Sequence, residues 1–157
     1  MEYVECPNNW LRSAGQLAVF LAGGITGCPD WQTEMVRLLS MTDYTVLNPR
    51  RADFPAGDPG AAEFQVRWEF EHLRKADLIS FWFCKEAVQP IVLYELGAWS
   101  MTDTPIVIGI EPGYARELDV RIQTALVRPA GGPVASTLED LAKEIRGFKP
   151  KLVPRSA

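Results

Sequence analysis

Glu95 lies in the run Ile91-Val92-Leu93-Tyr94-Glu95-Leu96-Gly97-Ala98-Trp99, where every neighbour for four residues either way is apolar, aromatic or glycine. An ionised carboxylate among such side chains loses hydration, so it is paired, shifted in pKa or kept for chemistry. Upstream, Trp68-Glu69-Phe70-Glu71-His72-Leu73-Arg74-Lys75-Ala76-Asp77 runs directly into the apolar segment Leu78-Ile79-Ser80-Phe81-Trp82-Phe83 and supplies further acids. Two carboxyl groups in one sheltered place can act as nucleophile and proton carrier, because environment separates their pKa values. A multi-carboxylate pocket is the chemistry these residues suggest. Each acid also has a plainer reading. Glu95 could be a helix-start carboxylate held by backbone amides, Glu69 a solvated helix acid paired with a nearby Arg or Lys, and Asp77 a turn or strand-entry residue.

These groups need elements to position them. Leu17-Ala18-Val19-Phe20-Leu21-Ala22 is a short continuous apolar run ending in Gly23-Gly24, the pattern of a buried strand followed by a tight turn. Asp30 is placed to cap a helix carrying Met35, Leu38 and Leu39, and Tyr44 to Leu47 reads as a second strand ended by Asn48-Pro49. Asn48 to Gly60, with three prolines and two glycines, is a long loop of the kind that often covers a site. Ala61 to Ala76 lacks both breakers and shows helical spacing, Leu78 to Phe83 reads as a central strand, and Ile91 to Met101 as the helix bearing Glu95. Ile106 to Ile110 is a further buried strand, and Ser136-Thr137-Leu138-Glu139 matches a capping box that opens a closing helix. Repeated strand-helix units with apolar strands imply a flavodoxin-like, doubly wound parallel sheet with helices on both faces. Ligands in such folds bind at the carboxyl ends of the strands. Gly23, Gly24 and Glu95 fall at that edge, whereas Asp77, at the start of its strand, falls at the other. Glu69 reaches the site only if its helix runs alongside.

Global properties narrow the function. With 157 residues and 47% hydrophobic composition the chain can bury one substantial core, so residues 1–157 read as a single domain with its core at about 17–147 and loose termini, including the tail after Pro150. A net charge of -4, with Lys and Arg scattered, offers no field for nucleic acid. The longest apolar stretch, Leu17 to Ile25, is too short to span a bilayer, and the expectation is a cytoplasmic protein without membrane partners. Cys6, Cys28 and Cys84 are odd in number with no paired spacing, and one histidine, His72, accompanies them, which disfavours disulfide scaffolds and zinc sites. Gly23-Gly24-Ile25-Thr26-Gly27 has neither the Walker spacing with its Gly-Lys pair nor the dinucleotide fingerprint, so no cofactor is expected. Arg50-Arg51 reads as a solvated loop or as ion pairs with the surrounding aspartates.

Phe20-Leu21-Ala22-Gly23-Gly24-Ile25, then Glu69 through Asp77 leading into a strand, then Tyr94-Glu95-Leu96-Gly97, resembles the nucleoside 2-deoxyribosyltransferases and their N-glycosidase relatives, over roughly Leu17 to Ile110. The resemblance implies that Glu95 attacks the anomeric carbon of a nucleoside, and that a second base or water intercepts the glycosyl ester. Glu69 and Asp77 stand where two aspartates stand in that family, and by position Glu69 takes the proton-transfer role. Gly23 and Gly24 either make the turn tight or let a ligand approach backbone amides; Trp31, Trp68, Trp82 and Trp99 read mainly as core, with Trp31, on the loop after the first strand, the one that would stack on a base; Gln89 and Tyr94 are the remaining candidate substrate contacts. The implied partners are a nucleoside and a free nucleobase, in a homodimer or higher homo-oligomer with shared sites, and the segment Tyr114 to Thr124 is a plausible contributor. The chain departs from the family in having Phe20 where a tyrosine often stands and Gln89 where an aspartate can stand. It also has Ile25-Thr26 where the nucleotide-cleaving branch carries a phosphate-binding arginine, which favours a nucleoside. Hydrolysis without transfer, a non-catalytic nucleoside sensor and a purely structural subunit are the competing functions.

Overall fold

The computed structural model describes residues 1–12, 15–55 and 57–150; the tail read as loose lies outside these. Ten elements follow one another: β1 (Glu2–Glu5), β2 (Ala18–Gly23), α1 (Trp31–Leu39), β3 (Thr45–Asn48), α2 (Pro59–Lys75), β4 (Leu78–Phe83), α3 (Pro90–Ser100), β5 (Ile106–Ile110), α4 (Glu117–Val127) and α5 (Leu138–Gly147). The strands form one parallel sheet in the order β1-β3-β2-β4-β5. The expected doubly wound α/β fold is therefore present. Successive residues of each strand point to opposite faces, and both faces are covered. Val19, Leu21, Leu78 and Trp82 pack against α1 and α5, through Met35, Leu39, Leu141 and Ile145. Phe20, Ala22, Ile79, Phe81, Phe83 and Ile108 pack against α2, α3 and α4, through Trp68, Leu73, Val92, Leu96 and Val120.

Four features differ from the sequence expectation. The amino terminus is not loose: β1 pairs with β3 at the sheet edge, and Val4, Cys6 and Trp10 are buried in the core. Glu117 to Val127 is a helix, α4, of which Val120 is the buried residue. The closing helix is capped one residue later than the capping box suggests, by the Thr137 hydroxyl accepting from the Asp140 amide at 3.1 Å. Cys28 and Cys84 are joined as a disulfide across 56 residues of sequence, which local spacing could not show.

Local chemistry explains the remaining boundaries. Asp30 caps α1 by accepting from the Thr33 amide at 3.1 Å. Asp58 caps α2 by accepting from the Gly60 amide at 2.8 Å, with Pro59 in the first turn, where a missing N–H costs nothing. The β2→α1→β3 unit winds toward one side of the sheet, and the connection through α2 returns to place β4 on the other side of β2. The order thus reverses between β2 and β4, and the crevice outside their carboxyl ends is where such a sheet offers a binding site.

Asp77 lies at the opposite edge. Arg12 forks onto its two carboxyl oxygens, the Ala18 amide donates to Oδ2 at 2.9 Å, and the Asp77 amide donates to the Ala18 carbonyl at 2.8 Å. The residue fastens the start of β4 to the start of β2, and it is not part of the carboxyl-edge site. Asp77→Ala leaves the Ala18 amide and Arg12 without this partner, so urea unfolding should show a loss of about 1–3 kcal/mol; stability equal to wild type would contradict this placement.

Candidate active site

Glu95 projects from the second turn of α3, whose chain leaves the carboxyl end of β4 through Cys84 to Gln89. Burial first, and the charge of Glu69 second, push its pKa from 4.5 up to about 8. Glu69 sits on α2, and burial also raises its pKa, opposed by a hydrogen bond from Gln65. Two acids from different helices are therefore near enough to oppose each other's ionisation. Neither takes part in any ion pair among the described residues. Two carboxyl groups that interact strongly give up their protons in separate steps.

The glycine turn after β2 stands at the same edge, in tight packing. A Cβ on Gly23 would lie 2.5 Å from Trp31 Cζ2 and 2.6 Å from the Trp82 carbonyl; one on Gly24 would lie 2.2 Å from Cys28 Sγ and 2.7 Å from the Gln89 amide carbon. Both glycines are thus required by the packing beneath the turn. Trp31 is not on a loop: it opens α1, is buried, and donates from Nε1 to the Gly24 carbonyl at 3.0 Å. It supports the turn from within instead of offering a face to a base. Gln89 is held in the left-handed region, φ 57°, directly before α3, and its Nε2 donates to the Cys84 carbonyl at 2.8 Å and the Ala87 carbonyl at 3.2 Å. Its Oε1 is buried with no hydrogen-bond partner, which leaves one acceptor beside Gly24. Tyr94 is 77% exposed, and one helical step carries it away from the direction of Glu95.

Three residues not singled out in the sequence join the acids. Gln65, one turn before Glu69 on α2, donates from Nε2 to Glu69 Oε1 at 2.7 Å and to the Pro49 carbonyl at 2.6 Å. Cys6 donates to Gln65 Oε1 at 3.0 Å. Arg51 bears on Cys6 electrostatically, as does Glu69, so all of them occupy one neighbourhood. The four-residue spacing of Gln65 and Glu69 was legible in the sequence as one helix row; the approach of Cys6 and Arg51 depends on the fold. His72 is packed, stacked on Trp68 at 3.8 Å, with Nδ1 at 2.7 Å from the Trp68 carbonyl. Arg50 donates to the Pro29, Ile25 and Cys28 carbonyls and to Gln32 Oε1, and it lies 3.8 Å from Asp30. Arg51 pairs with Asp53 at 3.7 Å.

A separate cleft of about 560 Å³ lies between α3 and α4, lined by Leu93, Leu96, Ser100, Val120 and Thr124 among others. Those α3 residues follow a helix row that does not include Glu95, so this cleft is distinct from the carboxylate pair. Leu118, Ile122 and Leu126 of α4 are exposed, as are Ile91 of α3 and Met101 directly after that helix. No helix among the described residues is long and apolar enough to cross a membrane, and no group of His, Cys, Asp and Glu there could hold a metal ion.

Comparison with known proteins places this geometry. A conserved protein from Enterococcus faecalis V583 superposes with a TM-score of 0.62 at 16% identity, over 83% of this chain and 98% of that one. A 2-deoxyribosyltransferase from Bacillus psychrosaccharolyticus superposes with a TM-score of 0.58 at 18% identity, over 86% of this chain and 99% of that one. At these identities the likeness is one of fold. No curated protein gives a significant match. The family described as "Nucleoside 2-deoxyribosyltransferase like" matches residues 16–114, which run from the entry to β2 past Glu69 and Glu95 to Tyr114. The chain therefore belongs to the nucleoside 2-deoxyribosyltransferase-like family.

Proposed function

We propose that the protein cleaves the N-glycosidic bond of a nucleoside through a covalent bond to Glu95 and passes the sugar to a second base. The observation that carries this reading is the pairing of Glu95 with Glu69 across two helices at the carboxyl edge of the sheet, in a setting that keeps one proton on the pair. The ionised Glu95 carboxylate attacks the anomeric carbon, forming a C–O ester bond as the C–N bond breaks. The electron pair of the C–N bond leaves with the base, which takes its proton from Glu69. A second base then attacks the anomeric carbon as the C–O ester bond breaks, its proton passes to Glu69, and the electron pair of the broken bond leaves Glu95 as carboxylate. Burial favours the protonated form of Glu95, so that proton must pass to Glu69 before or during attack. Water in place of the second base gives hydrolysis, and partial solvent access to Glu95 supports that as the competing outcome.

Other observations refine the reading. Arg50 is occupied by three loop carbonyls and the Gln32 side chain of α1, which favours a nucleoside over a nucleotide substrate. Gln89, with Oε1 buried beside Gly24 and Nε2 spent on the Cys84 and Ala87 carbonyls, supports the turn and not the base. Asp77, fastened at the other sheet edge, and Trp31, buried under the turn, have no part in binding. The exposed apolar rows of α3 and α4 are the face on which a second copy would dock and exclude water.

Purified protein incubated with a panel of deoxyribonucleosides and ribonucleosides, with and without a different free base, should yield a new nucleoside only when the acceptor is present. Glu95→Ala should reduce the rate at least about 1,000-fold, and sedimentation of the same sample should give a dimer or larger. Free base and sugar alone mean hydrolysis, and no conversion of any substrate contradicts the enzyme reading. The pH dependence of kcat/KM should be bell-shaped, falling above about 8, where the last proton leaves the pair, and falling again on the acid side as Glu69 gains a second.

The same acid affects stability. The raised Glu95 pKa means that the folded protein keeps a proton which the unfolded chain releases at ordinary carboxylate pH. Stability is then fully present below the unfolded value and is lost as pH rises from there through about 8. Glu95→Gln, which removes the charge at nearly constant volume, should stabilise the protein by on the order of 2 kcal/mol near pH 9 and far less near pH 5. A variant destabilised at both would contradict the burial assigned to this carboxyl group.

A further inference from the structure

We infer that Gln65 is a positioning residue for Glu69, holding one carboxyl oxygen as a fixed acceptor and leaving the other to exchange the proton of the Glu69–Glu95 pair. This rests on the reaction proposed above for the same site, and it assigns a role to two residues, Gln65 and Cys6, that do not touch the reacting atoms.

Three contacts determine the orientation of the Gln65 amide. The Pro49 carbonyl can only accept, so the group 2.6 Å from it must be the NH₂ end of Gln65. That end has a second hydrogen, directed at Glu69 Oε1 at 2.7 Å. The carbonyl end, Oε1, then faces Cys6 Sγ at 3.0 Å and needs a donor there. Burial pushes the Cys6 thiol up to about 11, so it keeps its hydrogen and supplies that donor. Every polar atom of the amide is thus engaged, and no flipped amide satisfies the Pro49 carbonyl. Both Gln65 protons are spent on acceptors, and a proton on Glu69 Oε1 would weaken that oxygen as an acceptor, so the exchangeable proton is favoured on Oε2. The hydrogen bond also favours the ionised form of Glu69 and therefore sets which member of the pair holds the proton in the resting site. The charge that bears on Glu95 is that of Glu69, and the charged groups that bear on the Cys6 anchor are Arg51 and Asp53 from the loop after β3, Glu69 from α2 and Glu5 at the end of β1.

The test is a carbon-13 carboxyl titration of Glu69 in the wild-type protein and in Gln65→Met, which keeps the side-chain length and removes every hydrogen bond. Loss of the Gln65 donor should move the Glu69 midpoint upward, and the acid limb of the kcat/KM profile should move upward with it while KM stays close to wild type. Cys6→Ala, which removes the far anchor, should shift the midpoint in the same direction, and Cys6→Ser, which restores a donor, should return it toward wild type. These two variants also keep the inference testable if Gln65→Met does not fold. A Glu69 titration identical in wild type and Gln65→Met, or in wild type and Cys6→Ala, overturns it. Titration needs no turnover, so a wild-type protein that converts no nucleoside refutes the glycosyl-transfer reading, whereas an unmoved Glu69 midpoint refutes the role of Gln65.

Discussion

Two carboxyl groups held together where water is scarce cannot both carry charge, and the carboxyl edge of this sheet is built around that constraint. Glu95 and Glu69 reach it from different helices, each desolvated, with no cation paired to either among the described residues. A single carboxylate in such a place would simply protonate and become inert near neutral pH. A pair behaves otherwise, because the first ionisation makes the second harder and one mobile proton is retained over a wide range. That is the condition needed by a reaction in which one carboxylate bonds to carbon while its neighbour protonates a leaving group.

Maintaining the arrangement requires rigid support on both sides. On the α2 side, Trp68 packs in the core beside Phe20, stacks on His72, and donates to the Asn8 carbonyl at 2.9 Å, so the helix carrying Glu69 is anchored to both the sheet and the amino-terminal segment. On the α3 side, the left-handed Gln89 and its bonds to the Cys84 and Ala87 carbonyls fix the point at which the chain turns into the helix carrying Glu95. The Cys28–Cys84 bond and the tight contacts of Gly23 and Gly24 tie the turn after β2 to that point. Phe20 is buried and packs against Trp68.

The sequence revealed most of the scaffold because its signals are local. Apolar runs of strand length, Asp30 at a helix start, and a breaker-free span ahead of Leu78 each reflect forces acting within a few residues. The elements it concealed are those whose logic is tertiary. β1 is four residues long with one buried side chain, so no period could mark it. In α4, Leu118, Val120 and Ile122 alternate as they would in a strand, yet only Val120 packs inward. The site divides the same way. Glu95 stood out because its immediate neighbours cannot solvate it. Glu69 was visible only by position, Trp31 and Gln89 proved to be committed to the turn, and Gln65 and Cys6 acquire meaning only once α2 and the end of β1 lie side by side.

The central claim is that Glu95 forms a bond to the sugar, and mass spectrometry of acid-quenched protein tests it directly. After brief incubation with a deoxyribonucleoside and no acceptor base, the peptide containing Glu95 should gain the mass of one deoxyribosyl group, and the gain should vanish on adding a free base. Substrate cleavage at full rate with Glu95 unmodified, or with the adduct on another residue, would contradict the account.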